Sequence, residues 1–271
     1  MDWLRPLGSS GLLVSAIGLG AVKFGRNTDV KYAQPFDLPD DRSAAYLLAR
    51  ASELGINLID TAPAYGSSEE RLGKLLSGQR DQWLLATKVG EEYTDGQSRF
   101  DYSARHTRHS VERSLRRLRT DVIDIVSVHS CGDDLDIIEH TDVLEQLHRL
   151  KEKGSIRAFG ISTKTTAGGL AAAGICDVQM LTYNLSDQSQ RPVIEACART
   201  GCGVLIKKPF ASGHLAAQSP VISKGAEDSL ELVLKQPGTG AAVIGTVNTN
   251  HLESNVGVAR SVLAANSPLK S

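Results

Sequence analysis

The 271-residue sequence predicts an α/β protein built as a closed (β/α)8 TIM barrel, and three features point there. Eight short apolar runs alternate with amphipathic helical stretches at a mean spacing of about 32 residues, the rhythm of βα units. The irregular segments longer than a turn, 22–40, 91–103, 131–139 and 212–222, each follow the C-terminal end of an apolar run. That is the face on which barrels build their sites. A doubly wound sheet shares the alternation but normally opens with a glycine-rich phosphate turn. Here Gly18-Leu19-Gly20 lacks the third glycine and leads into a long polar segment, which favours the barrel.

In chain order, residues 3–14 read as a two-stranded hairpin turning at Ser9–Gly11. The eight apolar runs follow at 17–20, 56–59, 83–87, 123–128, 157–161, 178–183, 204–206 and 242–244. A helix carries Leu54 near its end and stops at Gly55. Ser67-Ser68-Glu69-Glu70 has the form of a capping box, opening a helix through Leu72, Leu75 and Leu76 that Gly78 ends. The basic cluster 113–119 sits among Val111, Leu115 and Leu118 at helical spacing, so it reads as a solvated helix face. Val143, Leu144, Leu147 and Leu150 form an apolar stripe that Gly154 terminates. No linker, low-complexity tract or composition shift divides the chain, and residues 1–271 are expected to form a single domain.

Composition narrows the function. With 41% hydrophobic and 23% charged residues the chain is ordinary globular material, and its net charge of -1 gives no reason to expect nucleic acid or an anionic membrane as partner. Cys131, Cys176, Cys197 and Cys202 show no metal-ligand spacing and read as thiols of a reducing compartment. There is no signal-peptide pattern and no apolar run of the ~18 residues a membrane span needs. A soluble cytoplasmic protein with no metal is the expectation.

The chemistry-bearing residues stand where apolar runs end. Asp60 follows the second run, Lys88 the third and His129 the fourth, with Tyr65 on the loop just beyond Asp60. A carboxylate, an ammonium and an imidazole delivered to one semi-buried rim by neighbouring strands must pair to be tolerated. The set suits proton transfer. A free phenol, with pKa near 10, is a poor proton donor and acceptor at neutral pH, and a nearby Lys88 ammonium would favour the phenolate. Asp60 would keep Lys88 charged, and His129, neutral, would orient a carbonyl at the oxygen that Tyr65 protonates. Such a group contributes about 10²–10⁴-fold but reduces nothing, so a hydride source must come from a cofactor.

On the stretches 55–66, 86–90, 108–130, 153–163 and 203–213, the chain resembles the aldo-keto reductases from end to end. The resemblance implies a (β/α)8 barrel whose N-terminal hairpin closes the bottom, and NAD(P)H-dependent reversible reduction of an aldehyde or ketone. Tyr65 would be the general acid, tuned by Lys88 and Asp60, with His129 positioning the carbonyl. For the cofactor, Ser162 and Gln179 match residues that hold the nicotinamide amide, whereas Thr163 departs from the family pattern. Lys207-Lys208-Pro209-Phe210 follows the seventh run, and Lys207 stands where the family often has an aromatic or basic residue, so it supplies no aromatic stacker. Ser212 and Gly213 would lie along the pyrophosphate. Gly245, Thr246 and Asn255 match the closing cofactor signature, in which a helix N-terminus meets a phosphate. Basic residues that commonly clamp the adenosine 2′-phosphate are absent at Val247, Asn248 and His251. NADPH is the expected cofactor, with NADH the alternative.

Phe24, Tyr32, Phe36, Tyr93 and Phe100 fall in the long rim loops, as substrate-pocket walls or as loop anchors. Two other functions remain open on sequence. One is a slow, cofactor-binding redox sensor or partner subunit. The other is a Schiff-base aldolase using Lys88, which needs a lowered lysine pKa that pairing with Asp60 would oppose.

Overall fold

The structure is a computed structural model and describes residues 3–30, 35–211 and 222–265. Strands β1 (Leu4–Pro6) and β2 (Leu13–Ser15) pair antiparallel with Leu4 opposite Ser15. Their hairpin drives Leu7, Leu12 and Val14 to burial, in one cluster with Leu58, Ile125, Ala158, Val178 and Leu205. A Cβ on Gly203 or Gly240, near the starts of two barrel strands, would come within 2.8 Å of the Leu7 side chain. The hairpin therefore plugs the N-terminal end of the barrel, and each of its buried aliphatic side chains contributes about 1.5–3 kcal/mol of transfer free energy.

Eight strands close the barrel: β3 (Ile17–Gly20), β4 (Leu58–Asp60), β5 (Leu84–Val89), β8 (Ile123–His129), β9 (Ile156–Ser162), β10 (Val178–Thr182), β11 (Gly203–Lys207) and β12 (Thr239–Ile244). All neighbours are parallel, and β12 returns to β3 with Ala242 opposite Ile17. These strands are buried on both faces, which is why they read as near-continuous apolar runs. Inward residues fill the lumen, and outward ones meet a ring of helices in a second, larger core.

That ring comprises α1 (Asp41–Glu53), α2 (Ser68–Leu75), α3 (Ala104–Leu118), α4 (Asp134–His140), α5 (Val143–Glu152), α6 (Thr166–Ala172), α7 (Arg191–Thr200), α8 (Ile222–Leu234) and α9 (Thr249–Ala265). Side-chain caps start α1, where Asp40 accepts from Ser43 N at 2.7 Å, α3, where Ser103 accepts from His106 N, and α6, where Thr165 accepts from Gly168 N. The capping box expected at 67–70 does not form. Ser67 makes no side-chain cap, Ser68 Oγ donates to the Ala21 carbonyl, and buried Glu69 accepts from Thr87 Oγ1 at 2.7 Å. Tertiary partners have taken the residues that local capping would use.

Two segments expected to be irregular are ordered. Residues 91–103 hold the antiparallel ribbon β6 (Glu91–Thr94) and β7 (Gln97–Phe100), and 131–139 overlaps α4. The basic cluster lies on α3 and its C-cap as expected, with Val111 and Leu118 buried and Arg116 and Arg119 exposed, but two of its four arginines are engaged: Arg113 pairs with Glu92, and Arg117 with Glu69 and Glu70. All four cysteines are free thiols, and no helix among the described residues is long and apolar enough to cross a membrane.

Candidate active site

Strand register sets the rim. Asp60 and His129 are the last residues of β4 and β8, Ser162 and Lys207 end β9 and β11, and Lys88 is the next to last of β5. Lys88 Nζ lies 2.7 and 2.8 Å from the two Asp60 carboxylate oxygens and donates to the Thr61 carbonyl at 2.8 Å. Lys88 is 2% exposed and Asp60 5%, so all three ammonium protons are matched inside the protein. Burial works against the charge on Lys88, but Asp60, and after it the Tyr65 phenol, outweigh burial and hold the lysine pKa above its usual value. A lysine so held is a poor Schiff-base nucleophile, which removes the support for the aldolase reading.

Tyr65 rides on a tight loop. Its backbone N–H donates to Ala62 O at 3.0 Å, and its carbonyl accepts from Ser68 N. Gly66 follows at φ +61, where a Cβ would stand 2.2 Å from Gly25 O, so the loop needs a residue without one. The phenol ring is 4.9 Å from Lys88 Nζ and meets the His129 ring edge-on at 6.1 Å. The sequence reading had Lys88 favouring the phenolate. Lys88 does act in that direction, but burial pushes the Tyr65 pKa up by more, with Asp60 adding to the rise. The resting group is a protonated phenol, a proton donor and not a ready base.

His129 has a partner that sequence reasoning missed. Its Nδ1 lies 2.6 Å from Glu91 Oε2, and Glu91 Oε1 accepts from Ser98 Oγ at 2.6 Å. Glu91 opens β6, one residue beyond Gly90, whose φ of +99 makes the turn off β5 and whose Cβ would stand 2.5 Å from the Tyr102 ring. Tyr102 in turn donates to His129 O and accepts from Cys131 N. Burial lowers the His129 pKa; Glu91 opposes that and Lys88 adds to it. For Glu91, burial raises the pKa, but His129, Ser98 and Arg26 outweigh it and the net is about 2.

These residues line a cavity of about 1110 Å³. Its wall includes Asp60, Tyr65, Lys88, Glu91, His129, Ser162, Met180, Lys207, Lys208, Pro209, Gly245, Thr246 and Asn255. Lys207 Nζ donates to Ser162 Oγ at 2.7 Å and to Thr163 O at 3.2 Å. Burial and then the neighbouring Lys208, Lys88 and Lys164 lower its pKa to about 7. Beyond β12, Asn248 caps the start of α9 by accepting from Asn250 N and His251 N, and the first turns of α9 bring His251, Ser254 and Asn255 to the cavity.

Gln179 does not reach this wall. Strand alternation turns it outward, fully buried between α6 and α7, where Nε2 donates to Gly169 O at 2.8 Å and lies 3.4 Å from Cys197 Sγ. The inward neighbour Met180 takes the place in the cavity. Ser212 and Gly213 lie outside the described residues, as does Tyr32. Among the loop aromatics, Phe100 lines the cavity, and Phe210, which sequence reasoning had not placed there, joins it. Phe24 is a fully buried core anchor, Phe36 lies under Lys23 Nζ, and Tyr93 stacks beneath Arg26 and bonds Asp29.

Known proteins align with this arrangement. An aldo/keto reductase family model matches residues 16–229. L-galactose dehydrogenase of Arabidopsis thaliana is 34% identical over 80% of this chain and 68% of its own length. The solved structure of a Pseudomonas aeruginosa protein classed with the aldo-keto reductases is 54% identical, with a TM-score of 0.88 over 97% of this chain and 96% of that one. The holo form of aldo-keto reductase AKR11C1 from Bacillus halodurans is 26% identical, with a TM-score of 0.79 over 98% of this chain and 92% of that one. On its barrel, its rim residues and these matches, the chain belongs to the aldo/keto reductase family.

Proposed function

We propose that the chain reversibly transfers a hydride between NADPH and the carbonyl carbon of a small aldehyde or ketone, with Tyr65 as the general acid in the reducing direction. The observation that carries this reading is the convergence of Tyr65, Lys88, Asp60 and His129 on one wall of the cavity. Membership of a family of carbonyl-reducing oxidoreductases supports it. In this reading the Tyr65 O–H protonates the substrate oxygen. The Lys88 ammonium opposes the effect of burial on the phenol, and Asp60 keeps Lys88 charged and fixed. Burial of Lys88 and Asp60 keeps water from the pair and strengthens their charge interaction.

A bound nicotinamide would supply the hydride that none of these side chains can provide. The residues present fit such a group. Lys207 makes no ion pair among the described residues and has a third N–H beyond the two acceptors it meets. With Ser162 it would hold the nicotinamide end, a role in which Gln179 is replaced. Gly245, Thr246, Asn255 and the positive N-terminus of α9 would hold the phosphates, with Lys208 and Pro209 beside them. NADH is the alternative, because the 2′-phosphate clamp is thin at Val247, Asn248 and His251.

We read residues 1–271 as one domain acting in the cytoplasm on small molecules, a view that the free thiols support. The name of the Arabidopsis relative, a dehydrogenase of L-galactose, supports including hydroxylated compounds among test substrates. Titration of the protein with NADPH and NADH separately, followed by cofactor oxidation with benzaldehyde as probe, tests the reading. Saturable NADPH binding and turnover are expected. Binding of neither dinucleotide would overturn it.

A further inference from the structure

We propose that Lys207 is a covalent aldehyde site: its side-chain amine, set in the cavity wall at the end of β11, adds to the carbonyl carbon of an aldehyde and holds it as a reversible imine. The imine rests on the surroundings of Lys207 alone. Only its competition with a dinucleotide rests on the reading of the cavity as a hydride-transfer site.

The sequence offers Lys88 as a Schiff-base nucleophile at a barrel strand end, but Asp60 holds that lysine charged. Lys207, at the end of another strand, has the opposite surroundings. It makes no ion pair among the described residues. Lys208 beside it, Lys88 on β5 and Lys164 beyond β9 all disfavour a charge at Nζ, and Asp134 on α4 opposes them. Asp134 is engaged elsewhere, accepting from Ser130 Oγ, Lys164 N, Thr165 N and Thr165 Oγ1. Desolvation and neighbouring cations are the two circumstances that activate a lysine as a nucleophile. At a pKa of about 7, amine and ammonium coexist near neutral pH, where an ordinary lysine is almost wholly ammonium.

The contacts of Nζ suit the amine. It donates to Ser162 Oγ at 2.7 Å and to Thr163 O at 3.2 Å, and both of those residues are buried. A neutral amine has two N–H groups and one lone pair. The two acceptors use both N–H groups, fix the nitrogen, and leave the lone pair as the valence that no described residue engages. The side chain that carries it lines a cavity of about 1110 Å³. In the ammonium the same valence is the third N–H, which the nicotinamide end would take, so an aldehyde and a dinucleotide compete for it. Other lysines of the cavity lack this arrangement. Lys164 is exposed and donates to Cys131 O. Burial lowers the Lys23 pKa as well, but its Nζ stands 4.5 Å over the Phe36 ring, a contact that favours the cation.

In the step itself the lone pair bonds to the carbonyl carbon while the C=O π pair moves to oxygen. A proton passes from nitrogen to that oxygen, and the carbinolamine loses water as the C=N bond forms. Nothing is oxidised or reduced, and water reverses the step.

The test is sodium cyanoborohydride trapping on the full chain without dinucleotide, near neutral pH, with benzaldehyde as probe and peptide mass spectrometry to locate benzylated lysines. Lys207 should be benzylated at least about tenfold faster than the exposed lysines, given its larger amine fraction. Lys207→Met should lose the fast adduct, although the wild-type map decides without it. Saturating NADPH, with aldehyde in excess over what turnover can consume, should slow labelling of Lys207 and leave the exposed lysines unchanged. Labelling of Lys207 no faster than that of exposed lysines overturns the proposal, as does a fast adduct on Lys88 or Lys23 in its place. Fast labelling of Lys207 that NADPH does not slow upholds the covalent site and overturns the placing of Lys207 at the nicotinamide end.

Discussion

Removing one member of the buried Asp60–Lys88 pair should cost far more than removing both. The ammonium is 2% exposed and the carboxylate 5%, and their contacts of 2.7 and 2.8 Å leave no room for water between them. In Asp60→Ala the ammonium keeps the Thr61 carbonyl and the neighbouring Tyr65 phenol but no carboxylate, and in Lys88→Met the carboxylate is left without its cation. Either change strands a buried charge, which costs about 3–5 kcal/mol. The double variant Asp60→Ala/Lys88→Met strands none, so the two losses should fall short of additivity by about 3 kcal/mol. Urea midpoints of the four proteins, compared at constant m-value, measure this directly. Losses that add to within about 0.5 kcal/mol would refute the pairing as a source of stability. A pair that serves the phenol gives a second reading of the same cycle: all three variants should lose turnover, including a double variant that recovers its stability.

Two further perturbations test the cavity wall. Lys207 has a folded-state pKa of about 7 against its ordinary 10.5, so between those values the unfolded chain binds the extra proton and stability should rise with pH. That rise should be absent in Lys207→Met, read as urea midpoints across the window; an identical slope in both proteins would contradict the assignment. Gln179→Leu should lose about 1 kcal/mol, because Gly169 O loses its donor, yet leave NADPH affinity within twofold of wild type by fluorescence titration. A large loss of affinity would restore Gln179 to the cofactor wall.

Much of this was legible before any coordinates. Barrel strands are buried on both faces, so runs such as Ile-Asp-Ile-Val-Ser-Val stand out from the amphipathic helices between them, and polar residues where the runs end mark the rim. Asp60, Lys88 and His129 were found in that way. Gln179 was not, because identity matching ignores strand sidedness, and a shift of one position sends a side chain to the other face. Alternation counted from the inward Val178 would have pointed to Met180. Glu91 was lost inside a supposed loop. The signal was present in Asp95-Gly96, a dipeptide that favours a tight hairpin turn, and both residues do take positive φ. The balance of forces on Tyr65 was legible only in part. Sequence shows that a lysine stands near, but how deeply the phenol is buried depends on how the loop 61–67 folds against Gly25.

The most direct test of the account is Tyr65→Phe, which removes one oxygen and leaves the ring that meets His129 in place. Dinucleotide affinity should stay at the wild-type value by titration, while NADPH oxidation with benzaldehyde falls by about 10²–10⁴-fold, the contribution of a positioned acid. Wild-type turnover in that variant, with cofactor binding intact, would show that the proton comes from elsewhere.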